Sequence, residues 1–95
     1  MAITSINEIL KSNPDADIKA VVHGPAIIRL AKGDGLNNEF VNLIQNGVEV
    51  GACSKSILNQ KIEPSIMIDG VTILSKGGVQ RIIDLQLQGY IYIKI

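Results

Sequence analysis

The stretch Val48 to Gln60, VEVGACSKSILNQ, decides how this chain reads. Its first half is β-branched and small, as a buried strand is. Its second half is polar with apolar residues at helical spacing, so a strand ending near Cys53 hands over to a short helix from about Ser54 to Gln60. Working outward, IKAVVH (residues 18–23) and VTIL (71–74) are two more such strands. Gly24-Pro25 opens a short helix, AIIRLAK, with proline in the tolerated first turn. Leu36, Phe40, Leu43 and Ile44 mark a further helix that Asn46-Gly47 stops in the left-handed region. After the turn SKGG (75–78), Val79, Ile82, Ile83 and Leu87 mark a helix closed by Gly89.

The flanks complete the pattern. Ser5 and Glu8 read as a capping box opening a helix with Ile6, Ile9 and Leu10 as its stripe, and Asn13-Pro14-Asp15 ends it as a turn. In KIEPSIMIDG (61–70), Pro64 excludes a central strand, so Ile62, Ile66, Met67 and Ile68 belong to a packed loop. YIYIKI (90–95) alternates strictly and predicts a fourth, half-covered strand, at a sheet edge or against another subunit.

Strands alternating with helices imply an α/β fold with a parallel sheet and helices on its faces. The C-terminal ends of parallel strands share one edge, where such folds bind ligands. His23, Cys53 and the SKGG loop each come directly after a strand, so topology alone gathers them on one rim.

Ninety-five residues give one compact domain, 1–95. Nine basic residues balance nine acidic ones and only three aromatics are present, which argues against direct binding of nucleic acid. A hydrophobic fraction of 46% is high for so small a monomer and points to a homo-oligomer. No run approaches the ~20 apolar residues of a membrane-spanning helix and the N-terminus lacks a signal-peptide pattern, so a soluble cytoplasmic protein is expected. One Cys and one His leave no metal-ligand set, and no cofactor is expected.

Cys53 has two readings. At a strand-to-helix junction it lies near unpaired N–H groups and the positive end of a helix, both of which favour the nucleophilic thiolate, with Lys55 adding charge nearby. As one of the most buried residue types it is equally a small hydrophobe that does no chemistry. His23 either orients the thiol or an incoming sulfur donor, or bonds the Gly24-Pro25 turn. In SKGG, Lys76 and Gly77 make either an anion-binding nest or a plain reversal of the chain. No serine triad, HExxH, Walker loop or paired cysteine occurs, so if the chain is an enzyme its chemistry is that of sulfur.

AVVHGPAI, GVEVGACSKSI and GVTILSKGGVQRIIDLQLQGYIYI together resemble the DsrE/DsrF-like family, in its short single-domain branch, from about Ser5 to Ile95. The resemblance implies a three-layer α/β/α sandwich with a mainly parallel sheet, and trimers or hexamers. It also implies intracellular sulfur transfer between donor and acceptor proteins, with Cys53 carrying a persulfide and His23, Gly24, Ser54, Lys55, Lys76 and Gly77 around it. That would make the chain a sulfurtransferase or a sulfur-relay component. The alternative is a non-catalytic oligomeric subunit, or a small-ligand-binding module, in which Cys53 is structural. The family's sheet has five strands, the first ahead of the first helix, where this chain begins. Either an upstream segment is absent from this sequence, or the sheet closes up with four strands, with neighbours closing the gap or a loop or another subunit filling it.

Overall fold

The computed structural model describes residues 2–92. Helix α1 spans Ala2–Ser12 and lays Ile3, Ile6 and Leu10 on the core. Burial of Ile3 starts the apolar stripe one turn earlier than the Ser5 and Glu8 pattern suggests, so Ser5 lies inside the helix and not at its cap. The Asn13 turn comes next as expected, with the Ala16 N–H donating to the Asn13 carbonyl at 2.9 Å. Strand β1 is Lys19–Val22, and Gly24–Leu30 winds as a 3-10 helix with proline in its first turn. Helix α2 (Asn37–Gln45), strand β2 (Glu49–Cys53) and helix α3 (Ser54–Asn59) come after it. The packed loop carries a 3-10 turn at Pro64–Ile66 and buries Met67 and Ile68. Strand β3 (Thr72–Leu74) and helix α4 (Gly78–Leu87) complete the order.

The sheet is parallel throughout, in the order β1-β2-β3. Val21 pairs with Gly51 and Cys53 with Leu74, and β1 meets β2 directly, with no gap between them. Among the described residues there are three strands and not the expected four. Tyr90 is drawn into the end of α4 instead: its N–H donates to the Leu85 carbonyl at 3.0 Å, and its hydroxyl donates to Asp17 at 2.5 Å. Residues 93–95, the rest of the expected strand, lie outside the described residues.

Alternation along the strands gives the sheet two unlike faces. Ala20, Val22, Val50 and Ala52 face the main core, which the 3-10 helix, α1, α2 and α3 supply with Ile27, Leu30, Phe40, Leu43, Ile57 and Ile3. Ile27, Leu30, Leu43 and Val50 are wholly buried, each worth about 1.5–3 kcal/mol relative to exposure. The opposite face carries Val21, Gly51, Cys53 and Leu74 and is covered by α4. Arg81 clamps α4 to β2 through Glu49 at 2.7 Å. The result is three layers, with Cys53 on the thinner side, under the start of α4.

Candidate functional site

Cys53 is the last residue of β2 and the N-cap of α3, with extended backbone. It faces the first turn of α4 across a very short distance, because residue 78 is glycine. A Cβ on Gly78 would lie 3.1 Å from Val21 Cγ1 and 3.6 Å from the Cβ atoms of both Cys53 and His23. Glycine thus lets a second helix start approach the sulfur closely. Gly77, with φ of 89°, makes the preceding bend, and the Lys55 stem lies along it. A cleft of about 350 Å³ opens there, walled by His23, Cys53, Lys55, Lys76, Gly77 and Val79 among others.

Electrostatics at the sulfur run in two directions. Burial pushes the Cys53 thiol up, since the residue is only 7% exposed. Against this, the hydroxyl and N–H of Ser56 and the N–H groups of Gly78 and Lys55 favour the thiolate and together hold the thiol below its ordinary value, although Cys53 makes no side-chain capping bond to α3. The Ser56 hydroxyl is itself oriented. Its oxygen accepts the Gly24 N–H at 2.9 Å, leaving its proton for the sulfur, while the Gly24 carbonyl is fixed by Gln60 Nε2 at 2.6 Å. Neither Lys55 nor Lys76 has an ion-pair partner among the described residues.

The rim that topology predicts is therefore present: His23, Cys53, Lys55, Lys76 and Gly77 line one cleft. His23 makes no side-chain cap for the 3-10 helix after it, so its ring is not absorbed by the Gly24-Pro25 turn. Gly24 acts one step back, through Ser56. Ser54 does not join the cleft; its hydroxyl donates to the Ser75 carbonyl at 3.1 Å and ties the start of α3 to the loop after β3.

Residues 2–95 match the DsrE/DsrF-like family. The chain belongs to that family. Among solved structures, the protein of unknown function MTH1491 from Methanobacterium thermoautotrophicum is similar with a TM-score of 0.93, over 99% of this chain and 84% of its own, at 21% identity. At that identity the likeness speaks for the fold alone. No curated protein matches at a significant level. Among the described residues, no helix of this DsrE/DsrF-like chain is long and apolar enough to cross a membrane.

The family member's cleft also contains residues that sequence reasoning missed: Ser56, Gly78, Val79 and Gln80. For Ser56 a signal existed. A hydroxyl three residues after an N-cap is placed to meet that cap's side chain, the same spacing as a capping box. For Gly78 the double glycine was visible, but its reason, the approach of α4 to Cys53, is tertiary.

Proposed function

We propose that this DsrE/DsrF-like protein is an intracellular persulfide carrier with Cys53 as its nucleophile. One observation carries the reading: Cys53 lies in the wall of a cleft with His23 and two unpaired lysines, Lys55 and Lys76, against the closely approaching start of α4. That is an environment for a sulfur anion. In the forward step the Cys53 thiolate attacks the outer sulfur of a donor persulfide. A new S–S bond forms at Cys53, the donor's S–S bond breaks, and the donor leaves as its thiolate, so no external oxidant is required. Delivery to an acceptor thiolate is the same exchange in reverse. Lys55, Lys76 and His23 would border the terminal sulfur, Gly77 would admit the Gly78 N–H, and Gly24 and Ser54 would brace the two helix starts. Donor and acceptor are proteins in this reading, and the carrier works in the cytoplasm as a homo-oligomer, a trimer or hexamer.

The competing reading, a non-catalytic subunit or small-ligand-binding module with a structural cysteine, is favoured by the 7% exposure of Cys53. Intact mass after treatment with inorganic polysulfide separates the two. A carrier gains sulfur that a reductant removes and that Cys53→Ser abolishes. Folded protein that gains none, while a control thiol reacts under the same conditions, is not a carrier.

A further inference from the structure

Helix α4 carries part of the Cys53 site yet is lightly held. Gly78 and Leu85 are its buried residues, and Gly78 has no side chain, so Leu85 is the one buried side chain that anchors it. Val79, Ile83 and Leu87, at 70%, 43% and 82% exposed, add little. Among the described residues, the one polar tie between α4 and the sheet is the ion pair of Arg81 Nη2 with Glu49 Oε2 at 2.7 Å. Its two side chains are 29% and 25% exposed, so water and salt screen it less than a surface pair. Arg81 Nε is buried and has no hydrogen-bond partner among the described residues. The guanidinium thus sits deeper than its own hydrogen bonding favours, drawn in by the Glu49 carboxylate.

We propose that Arg81 is a positioning residue for Cys53: its pull on Glu49 sets the height of α4 over the sheet, and with it the approach of Gly78 to the thiol. Two connections carry the effect. The Arg81 N–H donates to the Gly77 carbonyl at 3.3 Å and closes the turn that contains Gly78, so that turn and the Arg81 side chain move together. Glu49 and Cys53 are the first and last residues of β2, and their even spacing puts both on the face that α4 covers. A clamp on Glu49 therefore fixes the helix start over Cys53, about 13 Å along the strand at the ordinary rise per residue. Arg81 is not in the wall of the cleft, so it acts through α4 and not on the sulfur. The approach it holds is close, since a Cβ on Gly78 would lie 3.6 Å from that of Cys53. Freed from Glu49, the helix start lifts. The thiol then becomes more accessible, while the Gly78 amide that favours its thiolate moves away.

The proposal deepens the carrier reading at the same thiol, but maleimide labelling tests it without any sulfur donor, so either can fail alone. The rate at which Cys53 is labelled in the folded full-length chain is measured against pH. The titratable side chains that line the cleft with Cys53, His23 after β1, Lys55 on α3 and Lys76 before α4, stay in place in every variant. Arg81→Met keeps the apolar stem and loses the charge. It is expected to shift the profile to higher pH by about half a unit or more and to raise its plateau severalfold. Glu49→Met should do the same, and the double variant no more than either single one, because the two residues act as a pair. Arg81→Lys, which keeps a cation for Glu49, should return the profile to that of wild type. Gly33→Ala, at a positive-φ position with open space around it, should lower the melting temperature and label as wild type does. A wild-type midpoint and plateau in both methionine variants, or an Arg81→Lys profile no different from that of Arg81→Met, would overturn the proposal.

Discussion

The Ser56 hydroxyl, in the first turn of the helix that Cys53 caps, is the strongest of the groups that favour the Cys53 thiolate. It sets how much of the sulfur is thiolate at neutral pH, and it is a single removable group. Hydrogen bonds to charged acceptors are worth about 1.5–3 kcal/mol, so Ser56→Ala should raise the Cys53 thiol towards its ordinary value and slow maleimide labelling roughly tenfold at neutral pH. The pH profile of the labelling rate checks this, because the variant's curve should shift to higher pH while its plateau is unchanged. Ser56→Thr, which keeps the hydroxyl, should restore the wild-type profile.

The same depressed thiol makes a claim about stability. A group that loses its proton more readily when folded contributes stability that is complete above its unfolded value, ~8.5 for cysteine, and lost as pH falls through the folded value. The stability difference between wild type and Cys53→Ala should therefore grow in favour of wild type as pH rises through that window, then level off. Denaturant titrations at a series of pH values under reducing conditions measure it. If burial outweighed the donated hydrogen bonds, the difference would shrink with rising pH instead.

A third expectation concerns the thin side of the sheet. A Cβ built on Gly51 would lie 2.8 Å from both terminal carbons of Leu74 and 2.9 Å from its Cγ, so Leu74 occupies the space that a side chain at 51 requires. Leu74 is itself buried. Gly51→Ala is expected to cost about 1–3 kcal/mol by overpacking, and Leu74→Ala about 2–5 kcal/mol by leaving a cavity. The double variant should cost clearly less than the sum, since each change relieves the other. Urea titration of the four proteins gives the coupling, and simple additivity would mean that Leu74 moves aside freely.

Much of this arrangement is legible in the residues. Alternating strand and helix patterns mark three parallel strands, and the rule that their C-terminal ends share an edge puts His23, Cys53 and the SKGG loop together. The features that escape such reading are set by contacts distant in sequence. The pattern at Ser5 and Glu8 reads as a helix start, but packing of Ile3 on the core carries α1 past it. Strict alternation in YIYIKI predicts a strand from Tyr90, yet Tyr90 bonds to Leu85 and Asp17, one partner at the end of α4 and the other just before β1. Ser54 and Ser56 are indistinguishable as letters. Helical geometry turns one towards the Ser75 carbonyl and the other towards Gly24 and the sulfur.

Gly77 and Gly33 offer a matched pair for asking whether backbone shape at the cleft matters to the thiol. Both have positive φ, 89° and 95°, where L side chains are rarely found, so alanine at either position should cost about 1–3 kcal/mol through the backbone. Neither substitution is blocked by a severe clash: Gly33 has open space, and a Cβ at 77 would meet the Lys55 stem at an ordinary 3.4 Å. Their neighbours in the chain set them apart. After Gly77 comes Gly78, which lies close to Cys53 and whose N–H favours its thiolate, and any adjustment that relieves the strain at 77 turns that N–H away. After Gly33 comes a loop whose bonds run to Asn37 and Ala31, away from the cleft. Gly77→Ala should therefore both lower the melting temperature and slow maleimide labelling of Cys53 in the folded protein. Gly33→Ala should lower the melting temperature alone. Equal labelling rates in the two variants would show that the Gly78 amide contributes nothing to the reactivity of the sulfur.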